Sequence, residues 1–132
     1  MNKKIVDFIT DCKVFYLATV DGDKPKVRPF GFIAEIDGKI YFCTGAKKDV
    51  YKQLEKNPNF EVSATAKDGR WIRVIAKAVL DGANENAKEK VLELMPTLKE
   101  IYKGEARKNF TVFYAKDVEA FLYSQSGAEK IS

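Results

Sequence analysis

The stretch KPKVRPFGFIAEIDGKIYFCTGAKKDVYKQLEKNP, residues 24–58, decides the fold and carries most of the chemistry. Residues 27–36 are largely apolar and rich in β-branched and aromatic side chains. Asp37-Gly38 is the pair of a two-residue hairpin, and residues 39–44 resume as a strand. After Gly45-Ala46-Lys47-Lys48-Asp49, the apolar positions Val50, Tyr51 and Leu54 recur at helical spacing until Asn57-Pro58 stops the helix. The order is strand, tight turn, strand, helix, and the helix opens beside two lysines. Backbone N–H groups at a helix start lack intrahelical partners and favour an anion, to which Arg28, Lys47, Lys48 and Lys52 add charge-assisted bonds. The stretch reads as an anion site, and phosphate suits it.

On the N-terminal side, Ile5, Val6, Phe8, Ile9 and Cys12 share one side of a short amphipathic helix over residues 3–12. Residues 13–20 (KVFYLATV) read as a buried strand, and Asp21-Gly22-Asp23-Lys24-Pro25 turns it into the Arg28 strand. On the C-terminal side, residues 59–66 alternate as a half-buried strand, Lys67-Asp68-Gly69 turns, and residues 70–80 form a long strand. From Asn84 the period changes: Ala87, Val91, Leu94, Met95 and Leu98 fall on one helical face, broken at Pro96 and closed by residues 99–104. Residues 109–116 and 118–123 supply one or two last strands, and residues 124–132 are a polar tail expected to fray. Short, turn-linked antiparallel strands favour a closed or nearly closed barrel.

At 132 residues and 45% hydrophobic content, the chain supports one core, hence a single domain over residues 1–132. The net charge of +4 comes from 23 basic and 19 acidic residues spread along the chain, which suits a small anionic ligand. No segment approaches a membrane span, and the N-terminus lacks a leader pattern, so the expectation is a cytoplasmic protein without membrane partners. Cys12 and Cys43 lack metal or redox spacing and read as reduced buried thiols. Histidine is absent, which removes Ser-His-Asp and Cys-His catalysis and imidazole metal sites. No metal is expected, no catalytic side chain stands out, and any redox chemistry falls to a bound cofactor.

The assembly Arg28-Pro29-Phe30-Gly31-Phe32, Phe42-Cys43-Thr44, Lys47-Lys48 and Gln53-Leu54-Glu55-Lys56-Asn57-Pro58 resembles the pyridoxamine 5'-phosphate oxidase-like family, the FMN-binding split β-barrels. The likeness runs from about residue 5 to about residue 125. It implies a mainly β (α+β) fold, an antiparallel split β-barrel of six to seven strands with flanking helices. It also implies FMN as cofactor, with Arg28, Thr44, Lys47 and Lys48 at the phosphate and the backbone of Val27, Arg28, Pro29, Phe30 and Gly31 along the flavin ring. Cys43, Lys52 and Gln53 lie within the same motifs. The better-known members carry their basic pair two residues later, at positions held here by Asp49 and Val50, so Lys47, Lys48 and Lys52 all stand as candidates. Trp71 occupies the position of a flavin-contacting glutamine, which places it against the ring or at a subunit interface.

The vitamin-processing oxidases of that family end in a segment bearing Arg and His. Residues 115–132 contain neither, so pyridoxamine phosphate oxidation is not expected. The resemblance instead implies a homodimeric FMN-dependent oxidoreductase that takes electrons from NAD(P)H and passes them to a small electron-accepting molecule. A small barrel filled by its own side chains leaves the flavin ring outside, where a second subunit covers it; Trp71, Phe30 and Tyr41 are candidates for that interface. A non-catalytic module for flavin or another anionic ligand is the alternative, and deazaflavin or haem, held by some relatives, stay open beside FMN. Nucleic acid is disfavoured because Phe8, Phe15, Phe32, Phe60 and Phe113 follow core periodicity rather than forming exposed stacking platforms.

Overall fold

A computed structural model describes residues 2–132. The elements run α1 (Asn2–Cys12), β1 (Phe15–Asp21), β2 (Lys24–Phe30), β3 (Ala34–Ile36), β4 (Lys39–Gly45), α2 (Asp49–Lys56), β5 (Asn59–Thr65), β6 (Trp71–Leu80), α3 (Glu85–Leu94), α4 (Thr97–Ile101), a 3-10 turn (Gly104–Asn109), β7 (Phe110–Ser124) and β8 (Gly127–Lys130). Among the described residues, no helix is long and apolar enough to cross a membrane. The hairpin between β3 and β4 turns where the dipeptide places it, with φ of 52° at Asp37 and 78° at Gly38. Positive φ at both central residues matches the right-handed twist of the flanking strands.

All pairings are antiparallel, and the strand order is β2-β1-β5-β6-β7-β4-β3, with β8 added on β7. The apolar run expected as one strand over residues 27–36 therefore splits at Gly31-Phe32-Ile33, and its halves lie on opposite ends of the sheet. Four Cα steps hold Phe30 and Ala34 within about 14 Å of each other, so the sheet curls until its edges approach. They do not pair: the sheet has eight strands, rather than six or seven, and stays open. The sequence of β2 gives a reason. Pro25 and Pro29 pair with Val20 and Tyr16 of β1 in an unbroken register. A proline fits there only if its missing N–H would face away from β1, so the free edge of β2 lacks donors that a closing strand would need.

Two cores follow from the curl. Inside it, Phe15, Leu17, Phe42, Phe60, Ile72 and Phe113 pack with Ile5 and Ile9 of α1 and Val50 and Leu54 of α2. The Phe42 and Phe113 rings stack at 5.2 Å. On the far side of β3, β4 and β7, Tyr41, Val112 and Phe110 pack against Ala87, Val91 and Leu92 of α3 and Leu98 of α4. These strands are covered on both faces, which accounts for the unbroken apolar run Ile40-Tyr41-Phe42. Pro96 separates α3 from α4 as the sequence indicates, and Asn84 caps α3 by accepting from the Ala87 N–H at 3.0 Å.

Near the C-terminus, of the one or two strands expected, the structure forms one, β7, because Asp117, with φ of 55°, absorbs an extra residue opposite a register shift between Ile75 and Lys77. One expectation is corrected there. The tail does not fray. Gly127–Lys130 pairs with β7, since backbone pairing needs no apolar side chains, and Ile131 donates to the Ala120 carbonyl at 2.8 Å.

Candidate functional site

Alternation along β2 turns Arg28 and Phe30 inward and leaves Val27 and Pro29 on the outer face. Arg28 Nη1 donates to the Leu17 carbonyl at 3.2 Å and to Thr19 Oγ1 at 2.8 Å, and Nη2 donates to Gln53 Oε1 at 2.8 Å. All three acceptors are neutral. Burial lowers the pKa of the guanidinium and the Asp49 carboxylate opposes that shift, yet arginine remains protonated in proteins. The fork is thus held in place without a paired negative charge, and it has N–H groups to spare.

Arg28 forms one wall of a cleft of about 250 Å³ that Pro29, Phe30, Gly31, Phe32, Cys43, Thr44 and Lys48 line on the strand side. Met95, Leu98, Ile101 and Tyr102 close it from the helical side. The lining contains two cations and no carboxylate. Lys48 is the N-cap residue of α2 and makes no side-chain cap, so the first-turn amides have no capping side chain, and Asp49 stands in the same turn. At Gly45 a Cβ would make only ordinary contacts, 3.4 Å from Tyr102 Oη and 3.5 Å from Lys48 Cγ. Burial pushes the Cys43 thiol up to about 12, against the opposing influence of Lys48, so the sulfur stays neutral. Burial also raises the Tyr102 phenol, with Cys43 adding to the shift. Both groups therefore stay protonated near neutral pH, and neither acts there as a base.

The other side of Arg28 faces a second, more polar cleft of about 710 Å³, between the first hairpin and α2, whose lining includes Val27, Lys26, Lys52, Gln53 and Lys56. Of the residues singled out in the sequence, the structure gathers Arg28, Pro29, Phe30, Gly31, Cys43, Thr44 and Lys48 around the first cleft, and Val27, Lys52 and Gln53 around the second. Lys47 lines neither. Trp71 lies on the outer sheet face, stacked on Tyr123 with centroids 4.0 Å apart, away from both clefts. Tyr41, considered above for an interface, is 2% exposed and donates to Asp81 Oδ2 at 2.6 Å, so it belongs to the core.

The helical wall was not legible as part of a site: Met95 and Leu98 fit core periodicity, and they face β2 across the cleft only in the fold. Ile101, 63% exposed beside the cleft, is the one that stands out against that pattern.

Comparison with known proteins places this geometry. No curated protein sequence matches the chain. The chain is similar to the crystal structure of a NimC/NimA family protein from Clostridium acetobutylicum, at 38% identity and a TM-score of 0.91, over 97% of this chain and 89% of that one. It shares its fold with a FAD-binding protein from Mesorhizobium loti (13% identity, TM-score 0.62, 94% and 96% of the two chains). It also shares it with a heme binding protein from Mycobacterium smegmatis (13%, 0.73, 93% of this chain and 54% of that one). The sequence profile of pyridoxamine 5'-phosphate oxidase matches residues 1–123, nearly the whole chain, and on that match the chain belongs to the pyridoxamine 5'-phosphate oxidase family.

Proposed function

We propose that the chain is an FMN-binding oxidoreductase that works as a homodimer, taking electrons from a nicotinamide donor and reducing a small electron-accepting molecule. The observation that carries this reading is Arg28: a half-buried guanidinium held by three neutral acceptors, sharing a carboxylate-free cleft with Lys48. Such an arrangement is short of a negative charge, and a phosphate supplies it with charge-assisted bonds. Thr44 adds a hydroxyl, and the open start of α2 adds amide donors. The FAD-binding protein of the same fold supports the flavin class. When bound, the flavin supplies the redox chemistry, while this chain binds its phosphate, orients it and shields it with Met95, Leu98, Ile101 and Tyr102.

The size of the first cleft supports the dimer. At about 250 Å³ it falls below the ~300–1,000 Å³ of ordinary ligand pockets, so it suits the phosphate and its chain rather than a three-ring system. The ring then lies over the outer face of β2. There the register sets Pro29 beside Tyr16 and Val27 beside Ala18, with Val27 68% and Tyr16 52% exposed. An apolar sheet face of this kind calls for a cover, and a second copy provides one by two-fold symmetry.

The lack of a carboxylate or other ready base in the first cleft also favours the rival reading, a non-catalytic flavin carrier. One preparation separates the readings. The purified protein should absorb in the blue, release FMN on heating, scatter light at twice the 14.9 kDa chain mass, and bleach when NADPH or NADH is added without air. A flavin that resists the donor supports the carrier; a colourless protein removes both.

A further inference from the structure

We infer that the second cleft is a phosphate-recognition site in its own right, for a second phosphorylated group held beside the flavin. The inference deepens the flavin reading and rests on it only for what fills the first cleft. The second cleft is the larger of the two, about 710 Å³ against about 250 Å³, and Arg28 belongs to both walls. Lys26 enters it from β2, and Lys52 and Lys56 enter from α2, one helical turn apart. Like charges at that spacing repel and weaken a helix, so an anion between them relieves a cost built into the fold. Asp21 and Asp49 are the only carboxylates in the lining. Besides the shared Arg28, three lysines stand against these two carboxylates, so the cleft stays net positive even when Arg28 is engaged from the first cleft.

Neutral donors complete the set. The Gln53 side-chain oxygen accepts from Arg28 and Thr19, which leaves its amide NH2 uncommitted on the cleft wall. The Asn57 side-chain oxygen is occupied by the backbone and side-chain N–H groups of Asn59, which leaves its NH2 free in the same way. Among the described residues, Lys26, Lys52 and Lys56 form no ion pair, whereas Lys88, Lys103, Arg107 and Lys108 are each paired with a glutamate. A single flavin monophosphate engaged by Lys48 and Arg28 leaves this second group of cations unmatched. Two sources share the required chemistry: the adenylate half of a flavin dinucleotide, reaching across Arg28, and the phosphates of a separate nicotinamide dinucleotide.

The test is isothermal titration with inorganic pyrophosphate, on the chain freed of bound ligand and again after saturation with FMN. One pyrophosphate should still bind the FMN-saturated protein. The Lys26→Gln, Lys56→Gln double variant should weaken that binding at least about ten-fold while holding FMN affinity within about two-fold. Loss of the pyrophosphate heat on FMN saturation, or a double variant that binds pyrophosphate as the parent does, overturns the proposal. If the chain binds no flavin, the titration of the bare chain still reads the second cleft, so the two readings fail separately. The source is assigned by two further titrations. A preference for FAD over FMN that the double variant erases identifies the flavin's own second phosphate. NADP+ binding to the FMN-loaded protein that the double variant erases identifies a separate donor.

Discussion

Arg107 and Arg28 are both half-buried, and they sit in opposite electrostatic surroundings. Arg107, in the 3-10 turn, donates from Nη2 to Glu85 and Glu89 at 3.3 Å each and rests over the Phe110 ring at 5.4 Å. Its neighbours repeat the pattern: Lys88 meets Glu85, Lys103 meets Glu100 and Lys108 meets Glu105. Arg28 meets only a carbonyl, a hydroxyl and an amide oxygen. Residues 24–56 hold eight basic and four acidic residues against 23 and 19 in the whole chain, so the entire net charge of +4 falls in this one segment. Counting cations would treat the two regions alike. Asking what each cation touches separates charges that help hold the fold from charges left for a ligand.

The contrast breaks most decisively at Cys43. If its thiol ionised, Lys48 would have an internal counter-ion and the cleft would need no external anion. With burial pushing the thiol up to about 12 against an ordinary 9.0, the thiolate fraction at pH 8 is far lower than in the unfolded chain. Alkylation of Cys43 by iodoacetamide should be correspondingly slow; rapid labelling in the native state would end the comparison. The same shift has a consequence for stability. The unfolded chain releases this proton first, so the contribution of Cys43 is complete below pH 9.0 and is lost as pH rises toward about 12. Urea midpoints of the parent and Cys43→Ala should therefore converge across that window.

Next in size is Arg28→Ala, which removes a charge-assisted, two-pronged contact worth about 1.5 to 3 kcal/mol, or about ten- to a hundred-fold in FMN affinity. The fold should persist. Fluorescence quenching on FMN titration reads the change, and an unaltered affinity would take Arg28 out of the site. Lys48→Ala should cost about ten-fold, and Lys47→Ala close to nothing, because only Lys48 lines the cleft. Equal losses would mean that the helix start acts as a diffuse field. The smallest effect belongs to the other region: Arg107→Ala should lower stability by at most about 1 kcal/mol, less in high salt, and leave FMN binding untouched.

Much of this architecture is legible in local sequence. Asp37-Gly38 sets its hairpin, Asn57-Pro58 stops α2, Pro96 divides α3 from α4, and the motif residues Arg28, Thr44 and Lys48 meet at one cleft. What stays hidden is non-local. Nothing in the apolar run across Gly31 says that β2 and β3 will lie on opposite edges, since that depends on which strands fill the space between them. Asp117 looks like a turn because its preference for positive φ is the same in a turn and in a bulge. Residues 127–130 look unstructured because their pairing is carried by backbone groups that every sequence shares.

The position of β7 between β6 and β4 also shapes how the chain reaches this state. The β3–β4 hairpin is made before its partner on the sheet, which follows far along the chain, and the register joins Phe42 to Phe113. Until β7 leaves the ribosome, one edge of β4 is unpaired and half of the central aromatic stack is missing. Closure of that long loop must precede the contacts that reward it, so the free edge of β4 stays exposed until this sequence-distant pairing forms.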